Sequence, residues 1–294
     1  MRGSSPCMTT QFFMSESNPN QQAAALAQVQ GNILLVGAGK MGTAMLEGWL
    51  RLGIPAGKLV VIEPNASAQL SALAAQGLTL NPEKSADEIA AAVVAVKPQI
   101  APEVMPRIAQ LLSERSVAVS IMAGRTLRFL AESLPRVALV RAMPNTPAAI
   151  GRGITVAVPN ARVSVAQRAL VHALLSALGA IQWITDEGLM DAVTALSGSG
   201  PAYVFLLAEC MARAGAMAGL PPSLSQTLAR ATVAGAGELL GRSAVDPASL
   251  RENVTSPGGT TAAALEVLMR ERGLQPLLTE AIAAATRRSR QLAE

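Results

Sequence analysis

The feature that most constrains the fold is a unit repeated over residues 32–185: a short, uninterrupted run of Val, Ile and Leu, then a stretch with helical spacing. The runs are "NILLVG", "KLVVIE", "AAVVAVK", "SVAVSIM", "RVALVRAM", "GITVAV" and "AIQWIT". A strand with one face in water alternates apolar and polar residues, whereas a continuous apolar run suits a strand covered on both faces. The intervening segments, such as "MGTAMLEGWLRLG" and "SVAQRALVHALLSALG", supply the covering helices and return the chain for the next parallel strand. A mostly parallel α/β sheet of about eight strands is therefore expected over residues 31–185. Beyond Thr185 the strand-like runs stop. Residues 186–294 read as helices only, punctuated by Gly219-Leu220-Pro221-Pro222, by Asp246-Pro247 and by Ser256-Pro257-Gly258-Gly259. With 294 residues the chain exceeds what one core usually organises, so two domains are expected.

Half the residues are apolar but only 2% are aromatic. The interior is thus built from small side chains, above all Ala, which let helices approach closely and favour tight packing between subunits. The stretch "PAYVFLLAECMARAGAMA", residues 201–218, is apolar nearly all round and leaves one narrow charged stripe. Such a helix must be covered on most sides, and a small helical domain has difficulty doing so alone, so intertwining with a second copy is expected. Glu209 and Arg213 interrupt that stretch at i,i+4 spacing, which reads as a buried helix and not a membrane span.

The formal charge of +4 does not point to nucleic acid, because the chain has only four Lys and its Arg residues are scattered, without basic runs interleaved with aromatics. The densest cluster, Arg287-Arg288-Ser289-Arg290, falls in the last turns of a terminal helix, where cations complement the helix dipole. Cys7 and Cys210 lie far apart without ligand-like neighbours, so neither a disulfide scaffold nor a metal site is expected, and a cytoplasmic protein fits. Residues 1–30 are polar and aperiodic, which reads as a disordered leader or a misassigned start.

Gly37-Ala38-Gly39-Lys40-Met41-Gly42 follows the strand "NILLV" and opens the helix "MGTAMLEGWL", the context in which a glycine pattern signals a dinucleotide site. The first Gly permits a tight turn, the second lets the backbone approach a pyrophosphate, and the third lets helix and strand pack closely, with the helix N-terminus attracting phosphate. Glu63 ends the second strand, where a carboxylate accepts hydrogen bonds from an adenosine ribose 2′-hydroxyl, and no Lys or Arg lies between Lys58 and Lys84 to clamp a 2′-phosphate. That favours NADH. Pro64, Asn65 and Ser67 follow, however, and their small polar groups could bind a phosphate if Glu63 turned away, so NADPH and NADH both stay open. Ala95-Val96-Lys97-Pro98 ends the strand beside the glycine loop, and Lys97 reads equally as a pocket residue or a solvated strand end. In Met143-Pro144-Asn145-Thr146-Pro147 two prolines fix a loop from which Asn145 and Thr146 can face a ligand.

Two further segments belong to the helical half. In "DAVTALSGSGPAY" Gly198 and Gly200 break one helix and Pro201 starts the next, while Thr194 can present a hydroxyl to a substrate. In "NVTSPGGTTA" Pro257 stiffens a loop, Gly258 and Gly259 can take backbone angles closed to other residues, and successive N–H groups at a helix start form an anion site. Ser256, Thr260 and Thr261 would add hydroxyl donors, which suits a carboxylate. An ordinary cap made by Thr260 or Thr261 would explain one hydroxyl and leave the Pro-Gly-Gly as punctuation.

Taken together, "GAGKMG", "AVKPQ", "MPNTP", "DAVTALSGSGPAY" and "LRENVTSPGGTTAAALEVL", in this order over residues 37–268, resemble pyrroline-5-carboxylate reductase. The resemblance implies a Rossmann-type N-terminal domain, a helical domain that interlocks with its partner in a dimer, often assembled into larger rings, and reduction of 1-pyrroline-5-carboxylate to L-proline by NADPH or NADH. It also implies that Gly37, Ala38, Gly39, Lys40, Met41 and Gly42 hold the pyrophosphate, that Glu63 and Asn65 lie near the adenosine ribose, and that Ala95, Val96, Lys97 and Asn145 border the cofactor. Thr194 would bond the ring nitrogen, and Ser256, Gly258, Gly259, Thr260 and Thr261 would receive the substrate carboxylate. Glu63 departs from the pattern and weakens the usual expectation of NADPH.

A cyclic imine asks little of side chains, because the cofactor carries the hydride. This fits a chain whose only His, His172, sits on a sheet-covering helix, whose only Tyr, Tyr203, lacks a Lys four residues on, and which has no Lys beyond Lys97. Two alternatives are a reductase of another cyclic imine carboxylate and a non-catalytic dinucleotide-sensing dimer. The second has no use for Thr194 or for the carboxylate loop.

Overall fold

The computed structural model describes residues 29–83 and 88–293; the expected leader, all but its last two residues, lies outside the described residues. Among the described residues there are eight strands: β1 (Asn32–Val36), β2 (Leu59–Ile62), β3 (Thr79–Leu80), β4 (Ile89–Val94), β5 (Val117–Ser120), β6 (Ala138–Met143), β7 (Gly153–Pro159) and β8 (Gly179–Trp183). They form one sheet in the order β3-β2-β1-β4-β5-β6-β7-β8. From β3 through β6 every pairing is parallel. Asn160, just past β7, donates its N–H to the Leu139 carbonyl at the start of β6 (2.8 Å), so β7 runs against β6; β8 is parallel to β7. The reversal follows from the connection. Only the short 3-10 turn Thr146–Ile150 joins β6 to β7, too little chain for a crossover, and such a link serves antiparallel neighbours. β3 was invisible as a run because it has only two residues.

The apolar runs behave as two-sided strands. In β1, Ile33 and Leu35 join a core with Val61, Val93, Met45, Trp49 and Leu174, whereas Leu34 and Val36 join a second core with Val60, Val94, Met105, Ile108 and Leu130. Helices α1 (Lys40–Arg51) and α5 (Val165–Ser176) cover the first face. Of the other helices of this unit, α2 (Ala68–Ala74) adds Leu70 to that first core, while α3 (Ala101–Leu111) and α4 (Leu127–Ser133) cover the second face. A one-residue slip of β1 would exchange the two sets, so both cores hold its register. Between α1 and α5 the buried Trp49 donates its indole N–H to the Leu174 carbonyl at 2.9 Å, which satisfies the one polar atom of that side chain.

From Met190 onward the described residues form helices only: α6 (Met190–Val193), a π-helical segment (Thr194–Gly198), α7 (Gly200–Met217), α8 (Pro222–Arg242), α9 (Pro247–Asn253), α10 (Thr260–Leu268) and α11 (Leu274–Ala293). Residue contacts divide the chain into two compact units. One comprises the described residues up to Met122 with Leu127–Ala142 and Pro147–Thr185; the other comprises Asp186–Glu294 with the short segments Ala123–Thr126 and Met143–Thr146. In the second unit α7 packs against α8, and Ser225 of α8 donates to the Ala212 carbonyl of α7 at 2.6 Å. No residue of α7 is buried within the single chain; Phe205 is 67% exposed and Met217 90%. The cover that an all-round apolar helix requires is thus not supplied by this chain's described residues. None of their helices is long and apolar enough to cross a membrane.

Candidate functional site

In the sheet unit, β1 and β4 are neighbours at the point where the strand order reverses, the place where such sheets open a ligand crevice beyond their strand ends. The glycine loop leaves β1 there. Gly37 has φ 90°, and a Cβ on it would come within 2.8 Å of the Ala95 carbonyl oxygen and 3.0 Å of a Val96 methyl, so the bare backbone is what lets the loop pass the end of β4. A Cβ on Gly42 would stand 2.1 Å from the Gly37 carbonyl oxygen. Gly39 differs from both, since a Cβ there would meet nothing within 4 Å. It is the N-cap of α1, with no side-chain cap and no acidic residue in the first turn. An open Gly in front of uncapped helix N–H groups fits the pyrophosphate of a dinucleotide.

Around this loop Lys40 is exposed, Met41 packs on the sheet core, and Lys97 is an exposed residue beginning the 3-10 turn Pro98–Ile100. Glu63 reaches the loop directly. Its carboxylate accepts the Ala38 N–H at 2.9 Å with one oxygen and the Asn65 N–H at 3.0 Å with the other. Glu63, Asn65, Ala38, Gly37, Ala95 and Val96 are thereby brought together at the ends of β1, β2 and β4.

In the helical unit, Thr194 opens the π-helical segment, closed by the Ser199 N–H bonding to the Thr194 carbonyl at 2.9 Å. The segment ends at Gly198, Ser199 is the N-cap of α7 and Pro201 lies in its first turn, so one helix stops and the next starts where the glycines and the proline suggested; what they did not suggest is the wider π repeat before the break. Widened turns of this kind concentrate at functional sites. Thr194 Oγ1 donates to the Met190 carbonyl at 2.8 Å, so its lone pairs remain to accept a bond. Asn145 Nδ2 donates to Ser197 Oγ at 3.4 Å, and a Cβ on Gly198 would come 2.7 Å from Met143 Cε. The loop after β6 is thus seated against the π-helical segment.

The loop of residues 256–261 is a tight turn followed by a helix. The Gly259 N–H bonds to the Ser256 carbonyl at 3.0 Å, with Pro257 second and Gly258 third at φ 70°, the residues a type II turn asks for. Gly259 is the N-cap of α10, again without a side-chain cap or an acidic residue in the first turn. Neither Thr260 nor Thr261 caps the helix, and their hydroxyls, like that of Ser256, make no hydrogen bond to another described residue. The ordinary-cap reading therefore fails. A helix start with open N–H groups and three unengaged hydroxyls can bind a small anion.

Similarity to known proteins follows the same division. Residues 32–124 match the family model described as "NADP oxidoreductase coenzyme F420-dependent", and residues 187–292 match "Pyrroline-5-carboxylate reductase dimerisation". Over 267 residues, 89% of this chain and 97% of its relative, the sequence is 40% identical to the pyrroline-5-carboxylate reductase of Pseudomonas aeruginosa. The chain belongs to the pyrroline-5-carboxylate reductase family. Among solved structures, the pyrroline-5-carboxylate reductase of Coxiella burnetii superposes with a TM-score of 0.82 at 30% identity, covering 90% of this chain and all of that one. The pyrroline carboxylate reductase of Plasmodium falciparum, solved with NADP bound, gives 0.74 at 29% identity, over 90% of this chain and 98% of that one.

Within this member of the pyrroline-5-carboxylate reductase family, one connection escaped sequence reasoning. Ser289, buried on α11, donates to Asp191 Oδ1 of α6 at 2.7 Å, and Arg290 stands 3.9 Å from Asp191 Oδ2. The terminal Arg cluster had suggested only a dipole effect; the side chain that matters is the Ser inside it. Asp191 lies three residues before Thr194, so α11 clasps the element that carries the hydroxyl. His172 plays no such part. It sits on α5, accepts the Trp183 indole N–H at 3.3 Å on Nδ1, and is held below the usual imidazole range by burial and then by the Arg168 guanidinium.

Proposed function

We propose that this chain reduces 1-pyrroline-5-carboxylate to L-proline with NADPH or NADH, the last step of proline biosynthesis. The observation that carries the reading is the loop of residues 256–261, an uncapped helix start with unengaged hydroxyls, in a family named for a substrate with one carboxylate. Ser256, Gly258, Gly259, Thr260 and Thr261 receive that carboxylate, and the open face of Gly39 with the start of α1 receives the cofactor pyrophosphate. When bound, the reduced nicotinamide supplies the hydride that saturates the carbon–nitrogen double bond.

Thr194 holds the ring nitrogen. Because its hydroxyl hydrogen is directed to the Met190 carbonyl, Oγ1 offers lone pairs, which match the N–H of a protonated imine and afterwards that of the amine product. The proton on nitrogen therefore arrives with the substrate, and no side-chain acid is required. Catalysis is then chiefly orientation, which can supply up to roughly 7–11 kcal/mol of the barrier. Replacing Thr194 by Ala is expected to lower turnover by about tenfold or more while leaving dinucleotide affinity nearly intact; steady-state rates of nicotinamide oxidation with 1-pyrroline-5-carboxylate, set beside direct nucleotide titration, check both halves. Loss of nucleotide binding instead would remove Thr194 from this role.

The protein acts as a homodimer built through its helical unit, supported by the exposed apolar side chains of α7, and the dimers assemble further into a ring, as the family resemblance implies. A reducing cytoplasm is the proposed compartment, in keeping with the free thiol of Cys210.

A further inference from the structure

The cofactor choice that the sequence left open turns on Glu63, and the structure shows what its side chain and its neighbours are doing. Resting on the reading of the glycine loop as a dinucleotide site, we propose that Glu63 makes this enzyme selective for NADH: its carboxylate receives an adenosine ribose hydroxyl and repels the 2′-phosphate that distinguishes NADPH.

Glu63 has not turned away from the loop. One carboxylate oxygen holds the Ala38 N–H, inside the glycine motif itself, and the other holds the Asn65 N–H. The backbone of Glu63 is clamped as well. Asn81 accepts the Glu63 N–H on Oδ1 and donates Nδ2–H to the Glu63 carbonyl, both at 2.8 Å, and Asn81 is the one described non-glycine residue with positive φ, at 50°. A left-handed Asn that replaces a strand partner from both sides fixes where the carboxylate points. An ionised carboxylate offers about four acceptor positions, so two remain for ribose hydroxyls.

The groups that would have welcomed a phosphate are partly engaged. The Asn65 N–H is bonded to Glu63, and Ser67 Oγ accepts the Leu70 N–H as the N-cap of α2, which leaves that side chain a single hydroxyl hydrogen to offer. No Lys or Arg occurs between Lys58 and Lys84, and Glu63 pairs with no cation among the described residues. A phosphate brought here would face a fixed negative charge without a neutralising partner, the repulsive element by which sites discriminate between related ligands. The Plasmodium relative was solved with NADP bound, so the proposal separates this chain from a structural neighbour.

The test is equilibrium binding, not turnover. Calorimetric titration of the full chain with NADH and with NADPH is expected to show NADH binding about tenfold or more tighter. In Glu63→Gln, which retains an oxygen for the Ala38 N–H, the difference is expected to shrink to within about threefold, chiefly through tighter NADPH binding. Equal affinities in the unaltered protein, or NADPH the tighter, overturn the proposal. An unchanged ratio in a folded Glu63→Gln protein overturns the assignment to Glu63. If neither nucleotide binds, the reading of the glycine loop falls together with it, whereas nucleotide binding without turnover of 1-pyrroline-5-carboxylate would leave the selectivity standing and refute the proposed reaction.

Discussion

At the scale of single residues, the glycines of one motif divide into those that hold the loop together and one that leaves room. A Cβ on Gly42 would sit 2.1 Å from the Gly37 carbonyl oxygen, closer than any non-bonded contact allows, so helix and strand would have to separate. Gly42→Ala is expected to cost about 1–3 kcal/mol, as overpacking typically does, and to lower the thermal unfolding midpoint by several degrees. Gly39→Ala meets no protein atom, so the midpoint should stay nearly unchanged while nucleotide affinity falls, because the methyl occupies the space in front of α1. Calorimetry and nucleotide titration on both variants separate the two roles; equal effects on stability would contradict the geometry. The motif letters announced three glycines with three purposes, but they did not reveal that Glu63 would bond to the Ala38 N–H. That bond joins residues 25 apart and depends on β1 and β2 ending side by side.

At the scale of elements, α11 is tied to α6 by a buried Ser–Asp hydrogen bond across 98 residues of sequence. A bond to a charged acceptor is worth about 1.5–3 kcal/mol, and Ser289→Ala would leave an Asp191 oxygen without it. The expected result is a destabilisation of about 1–2 kcal/mol, visible as a lower urea midpoint, with a reduced rate at saturating substrate because the π-helical segment bearing Thr194 is less firmly held. An unchanged midpoint and rate would make the contact incidental. The helices were legible from their spacing, and the starts of α7, α8 and α9 from Pro201, Pro222 and Pro247. The widened π turn was not, since Gly198 at its end and Gly200 beyond it signal only where one helix stops and the next begins.

At the scale of the whole molecule, the unburied α7 is the largest unbalanced feature: Phe205, Leu206 and Met217 are each more than half exposed in the single chain. Apolar surface on this scale marks an interface. Phe205→Glu is expected to shift the assembly towards monomers in light scattering, because a carboxylate would be buried without a partner; an assembly of unchanged mass would move the interface elsewhere. By itself the sequence determined the elements with local signatures: two-sided strands from unbroken apolar runs, helix starts from Pro, the tight turn after β1 from its glycines, the turn before α10 from Ser-Pro-Gly-Gly. Only tertiary structure decided the reversal of β7, the two-residue β3, the hold of Asn81 on Glu63 and the clasp of Ser289 on Asp191. Periodicity and turn chemistry act within a few residues along the chain, whereas these bonds exist because folding sets side by side groups that the sequence keeps far apart.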